Sequence, residues 1–324
     1  MADATKGEEK PPVLAAVVVN WNRPADTLAC LESLHEARPR PSYVVVVDNG
    51  SIDDSVERII NWARQRGIEE RVAPPGGEGA AYAPRWLTVI KSAENRGFSG
   101  GNNLGVDYLL GNTDSTHWLL LNNDATVKED FLTHIAEVIR STSDAGLITG
   151  TIYHDSDRQR VWYAGGREVP YRALVEHLHH VPDDGAAKPT GFVTGCAMVV
   201  SARLRERIGS LPECYFPGYS EDVEYSRRAR EAGFSLIYAP LAVAYHKVGA
   251  TAGAASESPS VHQAQMRHRV YYVRRNFRGL ERQVALAYLA ATKPAKALLE
   301  TLKGRPRLGL AVLRGTIEGF MNRV

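Results

Sequence analysis

The sequence predicts an α/β protein built on a doubly wound, mostly parallel sheet, and three observations carry this. The early apolar runs are continuous rather than alternating, as strands buried on both faces require. Segments with helical spacing separate them, in strand–helix–strand rhythm. Three of the strands run into polar loops, at Asp48, at Glu94–Asn103 and at Asn122–Asp124, where an open α/β sheet holds its ligand.

Val13–Val19 is the first strand and runs into Asn20-Trp21-Asn22-Arg23-Pro24. Ala25–Ala37 then places Leu28, Leu31 and Leu34 at helical spacing, with Asp26 in the first turn. Tyr43–Val47 is the second strand, ending in Asp48-Asn49-Gly50-Ser51, and Ser55–Arg66 is the second helix through Val56, Ile59, Ile60 and Ala63. Pro74–Pro84 is a Pro/Gly/Ala-rich insert that reads as a surface loop. Trp86–Ile90 is the third strand and His117–Leu121 the fourth, the latter followed by a helix over Lys128–Arg140. Periodicity is lost from Tyr153 to Pro189, a stretch of the kind that carries specificity elements. Phe192–Val200 resumes a strand and Arg203–Ile208 a helix. Asp222–Ala232 is a charged helix closed by Gly233, strands follow at Phe234–Tyr238 and Leu241–Tyr245, and the chain is mostly helical from Val261.

The 324 residues suffice for two domains or one large α/β domain. With 39 Lys and Arg against 37 Asp and Glu, no polyanion-binding surface follows from the total, so nucleic acid is not an expected partner. Three cysteines without CxxC spacing (Cys30, Cys196, Cys214) exclude a disulfide scaffold and suit a reducing compartment. No signal peptide or membrane-spanning run is visible, so a soluble, cytoplasmic protein is expected. From Glu281 onward, eight Lys and Arg stand against three Asp and Glu among Leu, Ala and Val. That composition suits either a solvated helical pair or a basic surface resting on an anionic membrane face.

Several residues could carry chemistry. Asp124 falls at the mouth of the sheet, where its carboxylate could hold a divalent cation or cap the next helix. Asp222 opens a helix and could act there as a general base, or could simply favour the positive helix terminus. His246 ends an apolar strand. His177, His179 and His180 fall in the aperiodic stretch, which argues against a metal cluster. Gly97-Phe98-Ser99-Gly100-Gly101 matches the G-x-S-x-G elbow, and Ser99, Asp222 and His246 follow in hydrolase order, which makes a serine hydrolase the competing expectation. Gly77-Glu78-Gly79 does not open a helix after a strand, so a dinucleotide oxidoreductase is poorly supported.

The strings VVVNWN, VVDNGS, ENRGFSGGNNLG, LLLNNDA, TGCAMVV, YFPGYSEDVEYSRRAREAG and APLAVAYH, in that order, resemble the family 2 inverting glycosyltransferases. The resemblance is strongest to bacterial rhamnosyltransferases and galactofuranosyltransferases. It implies a GT-A fold, a nucleotide-diphosphate sugar donor (a dTDP- or UDP-sugar, rhamnose-like favoured) and a Mg2+ or Mn2+ cofactor. By position, it implies that Asn20, Trp21, Asn22 and Asp48 hold base and ribose, and that Asn95, Gly97 and Asn103 cover the nucleotide. Asn122, Asn123, Gly195 and Cys196 would lie against the donor, with Lys247 and Arg275 as phosphate contacts. Asp124 and His246 would ligate the metal, although Asn122 replaces the first acid of the family's Asp-x-Asp motif. Asp222 would be the base, and Glu221 and Tyr219 would meet the acceptor, a lipid-linked glycan or a small molecule. The implied organisation is a disordered 1–11, a catalytic domain over 12–260 (nucleotide half 12–124, acceptor half 125–260) and a helical segment over 261–324. The Gly/Ala/Ser-rich Gly249–Ser258 would close over the donor. A non-catalytic nucleotide-sugar binding protein would need a damaged base or metal site, and Asn122 is the only blemish.

Overall fold

The computed structural model describes residues 11–77, 85–248 and 258–322. The expectations for the amino terminus, for most of the Pro74–Pro84 insert and for closure by Gly249–Ser258 fall largely outside these residues.

The first half is a parallel sheet wound with helices. In chain order it comprises β1 (Leu14–Asn20), α1 (Pro24–Glu36), β2 (Tyr43–Asn49), α2 (Ser55–Gln65), β3 (Glu70–Ala73), β4 (Leu87–Ser92), α3 (Gly97–Asn112) and β5 (His117–Asn122). β1 pairs in parallel with both β2 and β5, and β2 with β4. Both faces of this sheet are covered, which is why its strands read as unbroken apolar runs. Val18, Val46 and Leu119 pack against α1, α2 and the following helix through Leu31, Ile59 and Phe131. Val17, Val45 and Leu120 pack on the other face against Leu104 and Leu109 of α3. Glycine brings α3 this close: a Cβ on Gly105 would run into the Val17 side chain, and one on Gly101 would come within 2.8 Å of Val19.

The second half comprises β6 (Ala125–Val127), α4 (Phe131–Ser141), β7 (Ala145–His154), β8 (Asp157–Tyr163), β9 (Gly166–Val169), β10 (Leu174–His177), β11 (Lys188–Pro189), β12 (Ala197–Ser201), α5 (Ala202–Ile208), α6 (Glu221–Glu231) and β13 (Ser235–His246). The sheet runs β11-β13-β7-β12-β5-β1-β2-β4-β3, with β12 antiparallel to both neighbours. Helices α7 (Pro259–Asn276), α8 (Gly279–Leu302) and α9 (Pro306–Met321) complete the chain. α9 seats on α8 at Gly309 and on α7 at Gly315 and Gly319, where any side chain would strike backbone or Val270. No helix among the described residues is long and apolar enough to cross a membrane.

The elements depart from expectation in six places. The loop expected over Glu94–Asn103 is helical from Gly97, where α3 begins, and the strand expected over Phe192–Val200 starts only at Ala197. β3 was not anticipated because it is a four-residue edge strand that is largely uncovered. The Lys128 helix begins at Phe131 with Asp130 as its cap, because β6 intervenes, so Asp124 caps no helix. The two late strands are one, β13, whose register against β7 shifts between Ala239 and Val243, around Pro240. The aperiodic stretch holds β8 to β11, short pairs whose exposure removes the hydrophobic pattern.

Candidate active site

A cleft of about 770 Å³ opens where the carboxyl ends of the central strands meet the second half of the chain. One end is walled by Trp21, Asn49, Asn95, Gly97 and Phe98, the floor by Asn122, Asn123, Asp124, Gly195 and Cys196, and the far side by Tyr219, Glu221 and Asp222. α7 adds Val261, Gln265, Met266, Arg269 and Tyr272, so the boundary drawn at residue 260 cuts through an element that builds the site.

A chain of polar side chains fixes the sheet ends beneath the first wall. Asn123 Nδ2 donates to Thr27 Oγ1 at 3.1 Å, Thr27 Oγ1 to Asn20 Oδ1 at 2.6 Å, and Asn20 Nδ2 to Asp48 Oδ1 at 2.9 Å. Adjacent registers make this possible, since Asn20 pairs with Asp48 across β1 and β2. Ser51 joins the network by accepting from the Asn22 amide at 3.0 Å. Asn20 and Asp48 are buried under the cleft, while Trp21 stands half exposed at its rim. Asn49 braces the neighbouring loop, donating to Asn95 Oδ1 at 3.0 Å and accepting from the Arg96 amide at 3.0 Å. Asn95 Oδ1 also accepts from the Gly97 amide at 2.8 Å.

At the floor, His246 Nε2 lies 3.1 Å from Asp124 Oδ1. β13 delivers the histidine beside β6, where His246 pairs with Ala125, the residue after Asp124. Burial disfavours the imidazolium, but the adjoining Cys196 sulfur and the Asp124 carboxylate outweigh it and push His246 up to about 10. The Trp162 ring packs edge-on against His246 at 4.8 Å and helps wall the cleft. Among the described residues no group of three His, Cys, Asp or Glu side chains is placed to hold a metal on its own. A carboxylate on the cleft floor with an imidazole beside it nevertheless fits a hard divalent cation that takes its remaining ligands from phosphate oxygens and water.

The acidic pair sits in the first turn of α6. Tyr219 and Ser220, just before it, hold φ of 78° and 87°, a backbone region that non-glycine residues rarely adopt. This turn starts α6 at the cleft wall. Asp222 Oδ2 accepts from the Gly195 amide at 3.0 Å and Oδ1 from its neighbour Val223 at 2.9 Å. Close approach to this floor requires glycine at 195, since a Cβ there would lie 2.7 Å from the Phe98 ring. Burial raises both carboxyls. The two amide donors oppose the rise at Asp222, whereas Glu221 is pushed further, to about 8, by burial and then by the Asp222 charge. Glu221 Oε2 is buried without a hydrogen-bond partner. Asp222 is therefore the member of the pair that ionises first, and Glu221 the one that keeps its proton.

Three expected donor contacts lie elsewhere. Asn103 faces the opposite side of α3, donating to the Leu211 carbonyl and to Glu213 Oε1, both at 2.9 Å; its neighbour Asn102 lines the cleft instead. Arg275 is drawn to the buried Glu224 at 3.0 Å, a carboxylate that also accepts from Tyr215 and Asn276. Lys247 Nζ pairs with Asp26 at 2.9 Å. The hydrolase triad is not assembled, because His246 pairs with Asp124 while Asp222 accepts from backbone amides. Thr27, Asn49, Trp162 and Arg269 are site residues the sequence did not reveal. Only the position of Asn49 at a strand end carried any signal.

The comparisons with known proteins bear on the family and the fold. Residues 11–279 match the family described as "Glycosyltransferase like family 2". A relative from Haloferax volcanii, named low-salt glycan biosynthesis hexosyltransferase Agl10, is 24% identical over 72% of this chain and 66% of its own length, so the match spans just under two thirds of that protein. A relative from Mycobacterium tuberculosis, named N-acetylglucosaminyl-diphospho-decaprenol L-rhamnosyltransferase, is 25% identical over 81% of this chain and 83% of its own. Among solved structures, the mannosyltransferase PcManGT from Pyrobaculum calidifontis, in complex with GDP-Man and Mn2+, superposes with a TM-score of 0.58 at 16% identity. That superposition covers 97% of this chain and 89% of the other. Residues 1–349 of TarS from S. aureus, in complex with UDP-GlcNAc, give 0.52 at 15% identity over 94% and 81%. These likenesses establish the GT-A arrangement of sheet and helices. With its family match covering most of the sequence, the chain belongs to the glycosyltransferase-like family 2.

Proposed function

We propose that the protein transfers a sugar, with inversion, from a nucleotide-diphosphate donor to an acceptor hydroxyl, with Asp222 as general base. The observation that carries this is the shared cleft: Asp124 on its floor and Asp222 on its wall, the latter's carboxylate fixed by the Gly195 and Val223 amides. An attacking hydroxyl must lose its proton as the bond forms, and a fixed, ionised carboxylate beside a protonated Glu221 can accept it, a contribution worth 10²–10⁴-fold for typical general bases. Asp222 is better placed as base than Glu221 because two backbone donors stabilise its charge. Trp21, Asn95 and Asn122 would contact the donor. Glu221 and Tyr219 would meet the acceptor.

Asp124 and His246 would hold a Mg2+ or Mn2+ ion. When bound, it supplies Lewis-acid stabilisation of charge on the departing diphosphate. A dTDP- or UDP-sugar, rhamnose-like, is the favoured donor, supported by the name of the mycobacterial relative. That name also supports a lipid-linked acceptor, with a small-molecule acceptor as the alternative.

The surface of the last helices supports a place at the cytoplasmic membrane face. Leu310, Leu313, Ile317 and Phe320 form an exposed stripe along α9, and Arg307 and Arg314 beside it make no ion pair among the described residues. The three acids of this region are already occupied, Glu281 by Arg227, Glu300 by Arg305 and Glu318 by Arg267.

A thermal-shift panel of GDP-mannose, UDP-N-acetylglucosamine and dTDP-rhamnose, with and without manganese, tests the donor class. Stabilisation by one nucleotide-sugar, increased by the metal, is expected. No stabilisation by any nucleotide-sugar tested would oppose the proposal.

A further inference from the structure

The α7 side of the cleft carries an arginine that pairs with no acid among the described residues. Arg269 lines the cleft from α7, and its guanidinium donates through Nε and a terminal nitrogen to the Arg172 carbonyl, at 3.2 and 2.5 Å. A carbonyl satisfies the donors without cancelling the charge. Behind it, Lys293 of α8 is only 7% exposed and makes no hydrogen bond or ion pair among the described residues. Lysine is almost never buried without a partner. Burial, followed by the charges of Arg269, Lys296 and Arg172, presses Lys293 down to about 8. Among the described residues the one acid paired with this group is Glu176, at 3.7 Å from Arg172 and held more closely, at 2.6 Å, by Arg167. Other arginines nearby meet carboxylates closely: Arg227 lies 2.9 Å from Glu281 and Arg275 lies 3.0 Å from Glu224.

We infer that Arg269, which lines the cleft, and the unpaired Lys293 behind it form an anion subsite on the α7 side of the cleft, which takes a phosphate or diphosphate carried by the acceptor. Guanidinium forks and ammonium groups together suit the several oxygens and multiple charge of such a group better than a single carboxylate. Arg269 stands on α7 with Gln265 and Met266, on the wall beyond Tyr219 and Asp222, whereas the Trp21, Asn49 and Asn95 wall belongs to the first half of the chain. The role assigned to the anion rests on the sugar-transfer reading; the presence of the subsite does not.

Calorimetric titration of the full chain tests this with three probes, inorganic pyrophosphate, farnesyl diphosphate and farnesol, in buffer holding saturating UDP. Pyrophosphate and farnesyl diphosphate are expected to bind with UDP present, and farnesol is not. Arg269→Ala and Lys293→Met should each weaken that binding about tenfold without changing UDP affinity. Lys293→Met should keep or raise the melting temperature, because an apolar chain of similar length replaces an unpaired cation. Tighter binding of farnesyl diphosphate than of pyrophosphate assigns a lipid-borne phosphate, and equal binding assigns the phosphate group alone. Complete displacement of pyrophosphate by UDP, or unchanged binding in both variants, would overturn the subsite. A wild-type protein that binds none of UDP, dTDP and GDP yet binds pyrophosphate through Arg269 would retain the subsite and contradict the sugar-transfer reading.

Discussion

Replacing Glu221 by Gln should stabilise the protein at alkaline pH and leave it unchanged in acid. Glu221 is buried, its Oε2 has no hydrogen-bond partner among the described residues, and the Asp222 carboxylate stands beside it. Burial first, and the neighbouring charge second, raise its carboxyl from 4.5 to about 8. In the unfolded chain the group ionises near its ordinary value, whereas in the folded chain it holds its proton to much higher pH. Stability is therefore complete below the unfolded value, declines as pH rises between the two values, and is lowest above the folded one. A shift of that size corresponds to on the order of 5 kcal/mol. Glutamine has the same shape and never ionises. Glu221→Gln should thus gain most of that amount above pH 8, roughly 6 °C in melting temperature for a chain of this length. Melting curves of both proteins from pH 4 to pH 9 measure it. A difference that does not vary with pH, or a less stable variant above pH 8, would refute the assignment of Glu221 as the protonated partner.

Three further outcomes follow from the same geometry. Asp124→Ala and His246→Ala should each weaken donor binding in manganese buffer and abolish the difference made by a chelator, as read by calorimetry; a chelator effect equal to that of the unchanged protein would oppose the metal assignment. Gly105→Ala should lower stability by about 1–3 kcal/mol, because its Cβ would enter the space of the Val17 side chain between α3 and β1; chemical denaturation measures this, and an unchanged midpoint would show that the contact yields freely. The full chain should sediment with anionic liposomes at low salt and be released by high salt, with Ile317→Asp and Arg314→Glu each reducing the bound fraction; equal binding to neutral liposomes would oppose the charge-based account.

Much of the fold was legible because its physics is local. Val17 and Val18 face opposite covered sides of one sheet, so the first strand had to be apolar throughout. The site was legible where strands end, because parallel neighbours bring their carboxyl termini together: Asn20 meets Asp48, and β5 places Asn122 to Asp124 next in line. Legibility failed where position depended on rotation or on distant chain. Asn102 and Asn103 differ by one residue, about 100° around a helix, and only the first reaches the cleft. Arg275 looked available to a phosphate, but no local pattern announces that Glu224, 51 residues earlier on another helix, claims it. Thr27 is a single hydroxyl in an amphipathic helix, and only the fold reveals that it bridges Asn20 and Asn123.

Asp222→Asn tests the central claim most directly, measured as transfer of radiolabelled sugar to a prenyl-diphosphate glycan, with donor affinity determined in parallel. The account predicts turnover lower by about 10²–10⁴-fold and donor affinity within a few-fold of the unchanged protein. Near-normal turnover in that variant, at equal donor affinity, would contradict it.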